Sequence, residues 1–246
     1  MFLRFLLLQS LFLPTVNFAA SPVTFTSPVQ QSTLLELYTS EGCSSCPPAD
    51  RWLSTLKDDP GLWKDIIPIA FHVDYWDYLG WKDEFSKAEY TQRQRNYARW
   101  SNLRTIYTPG FLQNGKEFRG WNRGRAIKNH VGENVGKLTV SISEGVVTAN
   151  FKPVKKIINP VNLNVAWLGF DLETEIRAGE NKGKKLKHDF VSFNTEFIRG
   201  SIDNESYSWK FKANVKDLPA RSGAAFWVTK GKNPTPIQAT GGWLGK

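Results

Sequence analysis

The sequence of 246 residues is poor in cysteine, with only Cys43 and Cys46. A scaffold held together by disulfides is therefore excluded, because one bridge between cysteines so close in sequence closes almost no chain and constrains little. We interpret this pair as chemically active rather than structural.

The sequence after residue 21 also lacks any apolar run long enough to cross a membrane, and it has no internal repeat and no low-complexity tract. Its hydrophobic content of 41% and charged content of 22% are those of an ordinary globular protein. The length predicts two modest domains. We therefore expect no transmembrane segment in the mature chain.

The first 21 residues have the pattern of a secretory signal peptide. Arg4 precedes a short apolar run, and small residues follow at 19–21. The run is too short to span a bilayer. We expect a periplasmic or secreted protein, with a retained N-terminal anchor as the alternative.

The net charge of +9 comes without a nucleic-acid recognition motif. We expect no nucleic-acid partner and interpret the basic residues as solvated faces. An anionic surface, such as lipid headgroups or an acidic partner, is the second interpretation.

The segment around the two cysteines predicts a strand, a loop and a helix. Leu34 to Tyr38 form an apolar run, and apolar residues recur at helical spacing from Ala49 to Leu56. A C-x-x-C pair beside a β-α-β pattern is typical of a thioredoxin-like redox motif. Because Cys43 precedes the helix and Cys46 lies at or inside its first turn, we expect Cys43 to be the more exposed, attacking thiol and Cys46 the shielded, resolving one.

The following sequence extends this pattern. It predicts a buried strand over 66–73, a polar helix over 83–101, a hairpin turning at Asn114-Gly115, and a last helix starting near Asn122. The order β-α-β-α-β-β-α is that of a thioredoxin-like domain, which we assign to residues 32–136, after a linker at 22–31.

From residue 137 the apolar residues alternate with polar ones, which is typical of antiparallel strands. We assign residues 137–246 to an antiparallel β domain. The predicted fold class is thus α/β, a thioredoxin-like domain followed by an antiparallel β-sandwich-like domain.

The motifs also resemble a known family. They comprise residues 36–50, residues 71–83 (Phe-His-Val-Asp-Tyr-Trp-Asp-Tyr-Leu-Gly-Trp-Lys-Asp), Tyr107-Thr-Pro109, and 179–183 with Leu186 and His188. Together they are similar to a mainly bacterial family of exported thioredoxin-like proteins, catalogued as the domain of unknown function DUF1223. The resemblance implies the fold and a redox-competent dithiol, and it implies no substrate. Family members usually carry Gln where this chain has Gly110.

Three residues are candidates for the substrate site. In a thioredoxin-like fold the segment Thr108-Pro109 faces the dithiol, so we expect a cis peptide bond at Pro109. The backbone of Thr108 would then pair with a substrate strand. Trp76 is a candidate for lining a peptide groove, with hydrophobic packing as the alternative.

Four further residues carry ionisable or metal-binding groups. Glu36 interrupts a predicted central strand, and it is either a buried proton-transfer acid or a structural partner of a Lys or Arg. His72 ends the neighbouring strand and is either a third metal ligand beside the cysteines or a packed core residue. We interpret Glu180 and His188 as structural, without a link to the dithiol.

The predicted function is that of a thiol-disulfide oxidoreductase, acting on a protein or on a small thiol or disulfide without a cofactor. Cys43 attacks, Cys46 resolves, Pro109 shapes the groove and Glu36 transfers a proton. One alternative is an envelope protein that binds copper or zinc through Cys43, Cys46 and His72. Another is a partner-binding module in which the dithiol is a redox latch.

Overall fold

A computed structural model describes residues 22–101, 103, 105–123, 127, 133–203, 205–215 and 217–245. Of the described residues, 44% lie in strands and 15% in helices, and only two of these helices are α-helical. The helices are α1 (Pro47–Ser54) and α2 (Ala88–Trp100). The strands are β1 (Val23–Thr26), β2 (Thr33–Thr39), β3 (Ile66–His72), β4 (Gly110–Gln113), β5 (Lys116–Glu117), β6 (Gly136–Ser143), β7 (Val146–Pro153), β8 (Val161–Gly169), β9 (Leu172–Glu175), β10 (Lys185–His188), β11 (Val191–Arg199), β12 (Ser201–Asp203), β13 (Ser206–Lys212), β14 (Ser222–Lys230) and β15 (Pro236–Trp243).

The main sheet has eight strands in the order β15-β14-β8-β11-β3-β2-β4-β5. β3 is parallel to both β2 and β11, whereas the remaining pairs are antiparallel. All seven residues of β2 and of β3 are buried. The carboxyl ends of these two parallel strands meet at Thr39 and His72, and the loops that follow them carry the candidate site.

A second sheet, β1-β6-β7-β13-β12, packs against one face of the main sheet, while β9 and β10 form a separate hairpin. Alternate residues of β8 and β14 point to opposite faces. Leu163 and Phe226 enter the core shared with the second sheet, whereas Leu168 and Trp227 enter the core shared with β2, β3 and the helices. These central strands are therefore buried on both faces.

Several local predictions are confirmed. The predicted strands at 34–38 and 66–73 are β2 and β3. The predicted hairpin is β4 and β5, and its turn residues Asn114 and Gly115 have positive φ angles of 47° and 75°. The polar helix is α2, but it begins at Ala88 rather than at 83, and Tyr90 and Gln94 are among the side chains that it buries.

The predicted fold class is wrong. The protein is mostly β with large sheets, and its two described α-helices do not make an α/β thioredoxin-like fold followed by a separate antiparallel domain. The strands after residue 137 do not form only a sandwich of their own, because β11 pairs with β3 and extends the same sheet through β8, β14 and β15. Pairing between residues this far apart in sequence leaves no trace in local periodicity, which explains the error.

The boundary near 136 stays a prediction, and the main sheet crosses it. The segment predicted as a linker contains β1, which pairs with β6. The predicted signal peptide lies outside the described residues, as does most of the last predicted helix, of which Trp121–Arg123 form one 3₁₀ turn. Across the described part of the chain, no helix combines the length and apolar character needed to cross a membrane.

Candidate functional site

The two cysteines form a disulfide at the start of α1. Cys46 is the N-cap residue and Pro47 follows at the first helical position, where its missing N–H leaves no hydrogen bond unmade. The helix therefore begins where the sequence predicts. Cys43 and Cys46 are only 1% and 0% exposed, so both are buried in the oxidised protein and the expected difference in exposure between them is negligible in this state.

The loop between β2 and α1, residues 40–46, carries both cysteines, and we call it the dithiol loop. The segment 179–184 binds this loop. Nδ2 of the buried Asn181 donates hydrogen bonds of 2.8 Å to the carbonyl oxygen of Glu41 and 3.0 Å to that of Cys43. The N–H of Ser44 donates to the Glu180 carboxylate at 3.0 Å. Glu180 is therefore linked to the dithiol loop, contrary to the interpretation from sequence. The sequence feature that could have indicated this link is the motif 179–183, which contains Glu180 and resembles the same family as the cysteine segment.

Thr108, Pro109 and Trp76 lie together on another side of this loop. The peptide bond between Thr108 and Pro109 is cis, as predicted. Trp76 Nε1 donates a hydrogen bond of 2.7 Å to Thr108 Oγ1, and the backbone and Cβ of Trp76 pack so closely on Gly42 that a Cβ there would lie 3.1 Å from Trp76 Cβ. Trp76 thus connects the dithiol loop to the cis-proline segment.

A groove of about 590 Å³ opens beside Pro109. It is lined by the exposed Ser45 of the dithiol loop, by aromatic side chains and by two arginines; the lining includes Thr108, Pro109, Phe118, Trp121, Arg119 and Arg123. Gly110 follows the cis-proline, and a Cβ at this position would lie 2.9 Å from the carbonyl oxygen of Tyr107. The local backbone therefore favours glycine here rather than the family's glutamine.

A buried polar cluster occupies the carboxyl ends of β2 and β3. We define it as Glu41, Asp50, His72, Asp83 and His188, each at most 6% exposed. His72 Nδ1 lies 2.7 Å from Asp83 Oδ2, and the same carboxylate accepts hydrogen bonds from the N–H groups of Glu41 and Phe85. Burial by itself would raise the pKa of Asp83, but attraction to His72 and these hydrogen bonds lower it.

His188 faces two carboxylates of this cluster. Its Nε2 lies 3.3 Å from Glu41 Oε1 and its Nδ1 lies 3.8 Å from Asp50 Oδ1. Burial opposes the charged form of His188, but the two carboxylates outweigh it and raise the pKa to about 10. The interpretation from sequence saw no link between His188 and the dithiol, whereas β10 brings His188 beside Glu41, before Cys43, and Asp50, after Cys46.

Glu36 belongs to a different buried site. Its Oε1 accepts a hydrogen bond of 2.7 Å from Arg93 Nε, and no described residue forms a hydrogen bond with its Oε2. The Arg93 guanidinium also lies over the rings of Phe71, Tyr97 and Trp227. This geometry favours the structural interpretation of Glu36 over the proton-transfer one.

The proposed metal set of Cys43, Cys46 and His72 does not form in this state, because both sulfurs are consumed in the disulfide. Among the described residues, the group whose ligand atoms approach one another is Asp50, His72 and His188, with these atoms within 4.8 Å. The ring centroids of His72 and His188 lie 5.0 Å apart.

Two solved structures are similar to this one. A crystal structure of protein AGR_C_4864 from Agrobacterium tumefaciens matches with a TM-score of 0.65 and 25% identity, over 87% of this chain and 95% of that one. HBP35 of Porphyromonas gingivalis matches with a TM-score of 0.65 and 16% identity, over 89% of this chain and 76% of that one, which shows similarity of fold alone. No curated protein matches the chain.

The motifs that first indicated a relationship lie in the dithiol loop, the loop after β3 and the loop after β9. Here they contact one another, so they describe one region of the molecule. The model of one family, described as "Protein of unknown function (DUF1223)", matches residues 34–229, and the chain belongs to that family.

Proposed function

We propose that the protein is an exported thiol-disulfide oxidoreductase that acts through Cys43 and Cys46. The observation that carries the proposal is a disulfide at the N-terminus of α1, in a loop whose Ser45 lines an open groove with the cis-proline segment. A helix N-terminus favours negative charge and so stabilises a thiolate. A disulfide that closes so short a loop adds little stability, which leaves chemistry as its role.

In the proposed reaction the Cys43 thiolate attacks a substrate disulfide. A bond forms between Cys43 Sγ and one substrate sulfur, while the other substrate sulfur leaves as a thiolate. The Cys46 thiolate then attacks Cys43 Sγ, which releases the reduced substrate and restores the protein disulfide. Two electrons pass to the substrate, and the same steps in reverse oxidise a dithiol.

Burial of the oxidised pair means that neighbouring groups must move before a partner sulfur can approach. The segment 179–184 is the candidate for this movement, since it is bound to the dithiol loop through Asn181 and Glu180. Both contacts are hydrogen bonds to backbone groups of the loop. Release of this segment would expose the loop without unfolding β2 or α1.

The groove beside Pro109 defines the substrate class that we propose. Phe118 and Trp121 offer apolar surface and Arg123 adds positive charge, while the charge of Arg119 is paired with Glu117. An extended peptide segment with a cysteine, and with aromatic or acidic neighbours, fits this lining. A small thiol or disulfide would use only the part of the groove nearest Ser45.

The experiment compares Cys46→Ser with Cys43→Ser, each expressed with its own leader sequence in a bacterial envelope. Without the resolving thiol, Cys46→Ser should accumulate mixed disulfides, visible as reductant-sensitive bands on a non-reducing gel. Cys43→Ser should not, and the double variant gives the background. Equal behaviour of the two single variants, with no captured partner, would overturn the proposal.

One alternative is favoured by a specific observation. Because the dithiol loop is held by segment 179–184, its oxidation state can instead set the conformation of that segment, as in a partner-binding module with a redox latch. The latch predicts that reduction changes partner binding without any mixed disulfide. The absence of trapped adducts together with redox-dependent binding would favour it.

A further inference from the structure

Three ligand-bearing side chains converge at the carboxyl end of β3. Asp50 comes from α1, His72 from the last position of β3, and His188 from the last position of β10. One ligand atom from each lies within 4.8 Å of the others. Zinc binds nitrogen and oxygen at about 2.0–2.2 Å, so its ligand atoms lie ~3.5 Å apart, and small side-chain movements would bring these three into range.

The imidazole of His72 is held as metal-ligating histidines usually are. Its Nδ1 faces the Asp83 carboxylate at 2.7 Å, which fixes the ring and leaves the lone pair on Nε2. Nε2 is buried and has no hydrogen-bond partner in the part of the chain that the structure describes. Such a group is costly to bury, which indicates that it has a ligand in the working protein.

His188 repeats this arrangement. Its Nε2 faces Glu41 Oε1 at 3.3 Å, and its Nδ1 faces Asp50 Oδ1 at 3.8 Å, without hydrogen-bond geometry at either nitrogen. Each carboxylate is anchored by its other oxygen. Trp81 Nε1 donates to Glu41 Oε2 at 2.8 Å, and Thr39 Oγ1 donates to Asp50 Oδ2 at 2.9 Å.

The charges of the cluster point to the same conclusion. Glu41, Asp50 and Asp83 are three carboxylates with at most 6% exposure, and no Lys or Arg forms an ion pair with them among the described residues. Three carboxylates outnumber the two imidazoles, so the cluster carries an excess of negative charge in a dry environment even when both rings are protonated. A negatively charged pocket of this kind attracts a divalent cation.

We propose that Asp50, His72 and His188 bind a divalent transition-metal ion, with zinc as the best match to two imidazoles and one carboxylate. Asp83 and Glu41 orient the two imidazoles from outside the ligand set. The ion ties β3, α1 and the β9–β10 hairpin together beneath the dithiol loop. This site does not use either sulfur, so it stands or fails independently of the proposed oxidoreductase.

The test measures zinc retained by the full protein with its disulfide intact. Zinc is added at one equivalent both to folded protein and during refolding, excess metal is removed by gel filtration, and bound zinc is quantified by mass spectrometry. We expect one ion per chain and a higher melting temperature. The nearly isosteric Asp50→Asn should lose the ion, while the exposed carboxylate variant Glu173→Gln on the same hairpin should keep it.

A double Cys43→Ser, Cys46→Ser variant separates this site from a thiolate site. It should also retain one zinc, and the cobalt-loaded form should lack the intense near-ultraviolet band of sulfur-to-cobalt charge transfer. Failure of the unmodified protein to retain zinc by either route would overturn the proposal. Equal retention by Asp50→Asn, or loss on removing the cysteines, would do so as well.

Discussion

Two buried ionic sites lie on neighbouring strands of the same sheet, and they are balanced in opposite ways. Glu36, on β2, faces one arginine, and that arginine is sandwiched by aromatic rings. The polar cluster at the ends of β2 and β3 instead gathers three carboxylates around two histidines. The first site pairs each charge within the protein, whereas the second leaves negative charge in excess.

The two sites also differ in how completely their polar atoms are hydrogen-bonded. The Arg93 guanidinium donates to Glu36 and also to Tyr97 Oη, and the Glu36 carboxylate raises the pKa of Arg93 further. Glu36 Oε2 also lacks a hydrogen-bond partner among the described residues, but the polar cluster groups four such atoms, His72 Nε2, both nitrogens of His188 and Glu41 Oε1. Buried polar groups normally have hydrogen-bond partners, so several without partners in one place indicate a site that binds a ligand. The comparison separates a structural ion pair from a candidate binding site.

The largest expected effect comes from breaking the balanced pair. Arg93→Met should lower the free energy of unfolding by about 3–5 kcal/mol, because it leaves the Glu36 carboxylate buried without its partner. Urea denaturation of the oxidised protein measures the change. The rate at which dithiothreitol reduces the Cys43–Cys46 disulfide in native conditions should stay the same.

Glu36→Gln is the matched control for that variant. It removes the charge but keeps a side chain of similar size, and its effect combined with Arg93→Met should be smaller than the sum of the two single effects. A clear slowing of disulfide exchange in Glu36→Gln, with unchanged stability, would contradict the structural role of the pair. It would restore the proton-transfer role for Glu36.

Asn181→Ala tests the contact between the dithiol loop and segment 179–184. Loss of Asn181 Nδ2 removes the donor to two carbonyl oxygens, of Glu41 and Cys43, and should cost about 1–3 kcal/mol. The same loss should speed reduction of the disulfide by dithiothreitol, since the loop is freer to open. Stopped-flow reduction and urea denaturation measure the two effects.

Lys182→Ala is the control for this variant, because Lys182 is an exposed residue of the same segment. It should change neither the rate nor the stability. If Asn181→Ala loses stability but is reduced at the unmodified rate, segment 179–184 does not control access to the cysteines. The movement that exposes Cys43 must then lie elsewhere.

Local sequence was sufficient to predict the elements that hold one side of the site. The apolar runs of β2 and β3, the Asn114-Gly115 turn and the start of α1 after Cys46 all follow from short-range rules of propensity and backbone geometry. Each of these features depends on residues that are close in sequence. The cis-proline was instead predicted from the expected order of elements, in which the segment before the hairpin faces the dithiol.

The other side of the site depends on contacts that local rules do not contain. β10 carries His188 to the end of β3, and the loop before β10 carries Asn181 to the dithiol loop. The burial of Cys43 and the continuation of the main sheet through β11 have the same origin. Only the resemblance, which grouped residues 179–183, Leu186 and His188 with the dithiol segment, indicated that these distant residues belong together.

The smallest expected effect concerns Glu180, which contacts the same loop from an exposed position. Its carboxylate accepts a hydrogen bond from the N–H of Ser44, and hydrogen bonding to the Ser44 side chain and then to this N–H lowers the pKa of Glu180 from its ordinary value of 4.5. A lowered folded-state pKa means that the contact contributes at neutral pH and is lost as the pH falls through that pKa. Because solvent screens exposed charges, the urea midpoint of Glu180→Gln at pH 7 should not differ measurably from that of the unmodified protein.

Hydrogen exchange at the Ser44 amide, expressed as a protection factor, reports the contact between Glu180 and Ser44 directly. Protection should fall in acid in the unmodified protein and stay level in Glu180→Gln, whose amide oxygen still accepts but does not titrate. An acid-dependent loss of the same size in both proteins would assign the effect to another group and leave Asn181 as the principal contact of this segment.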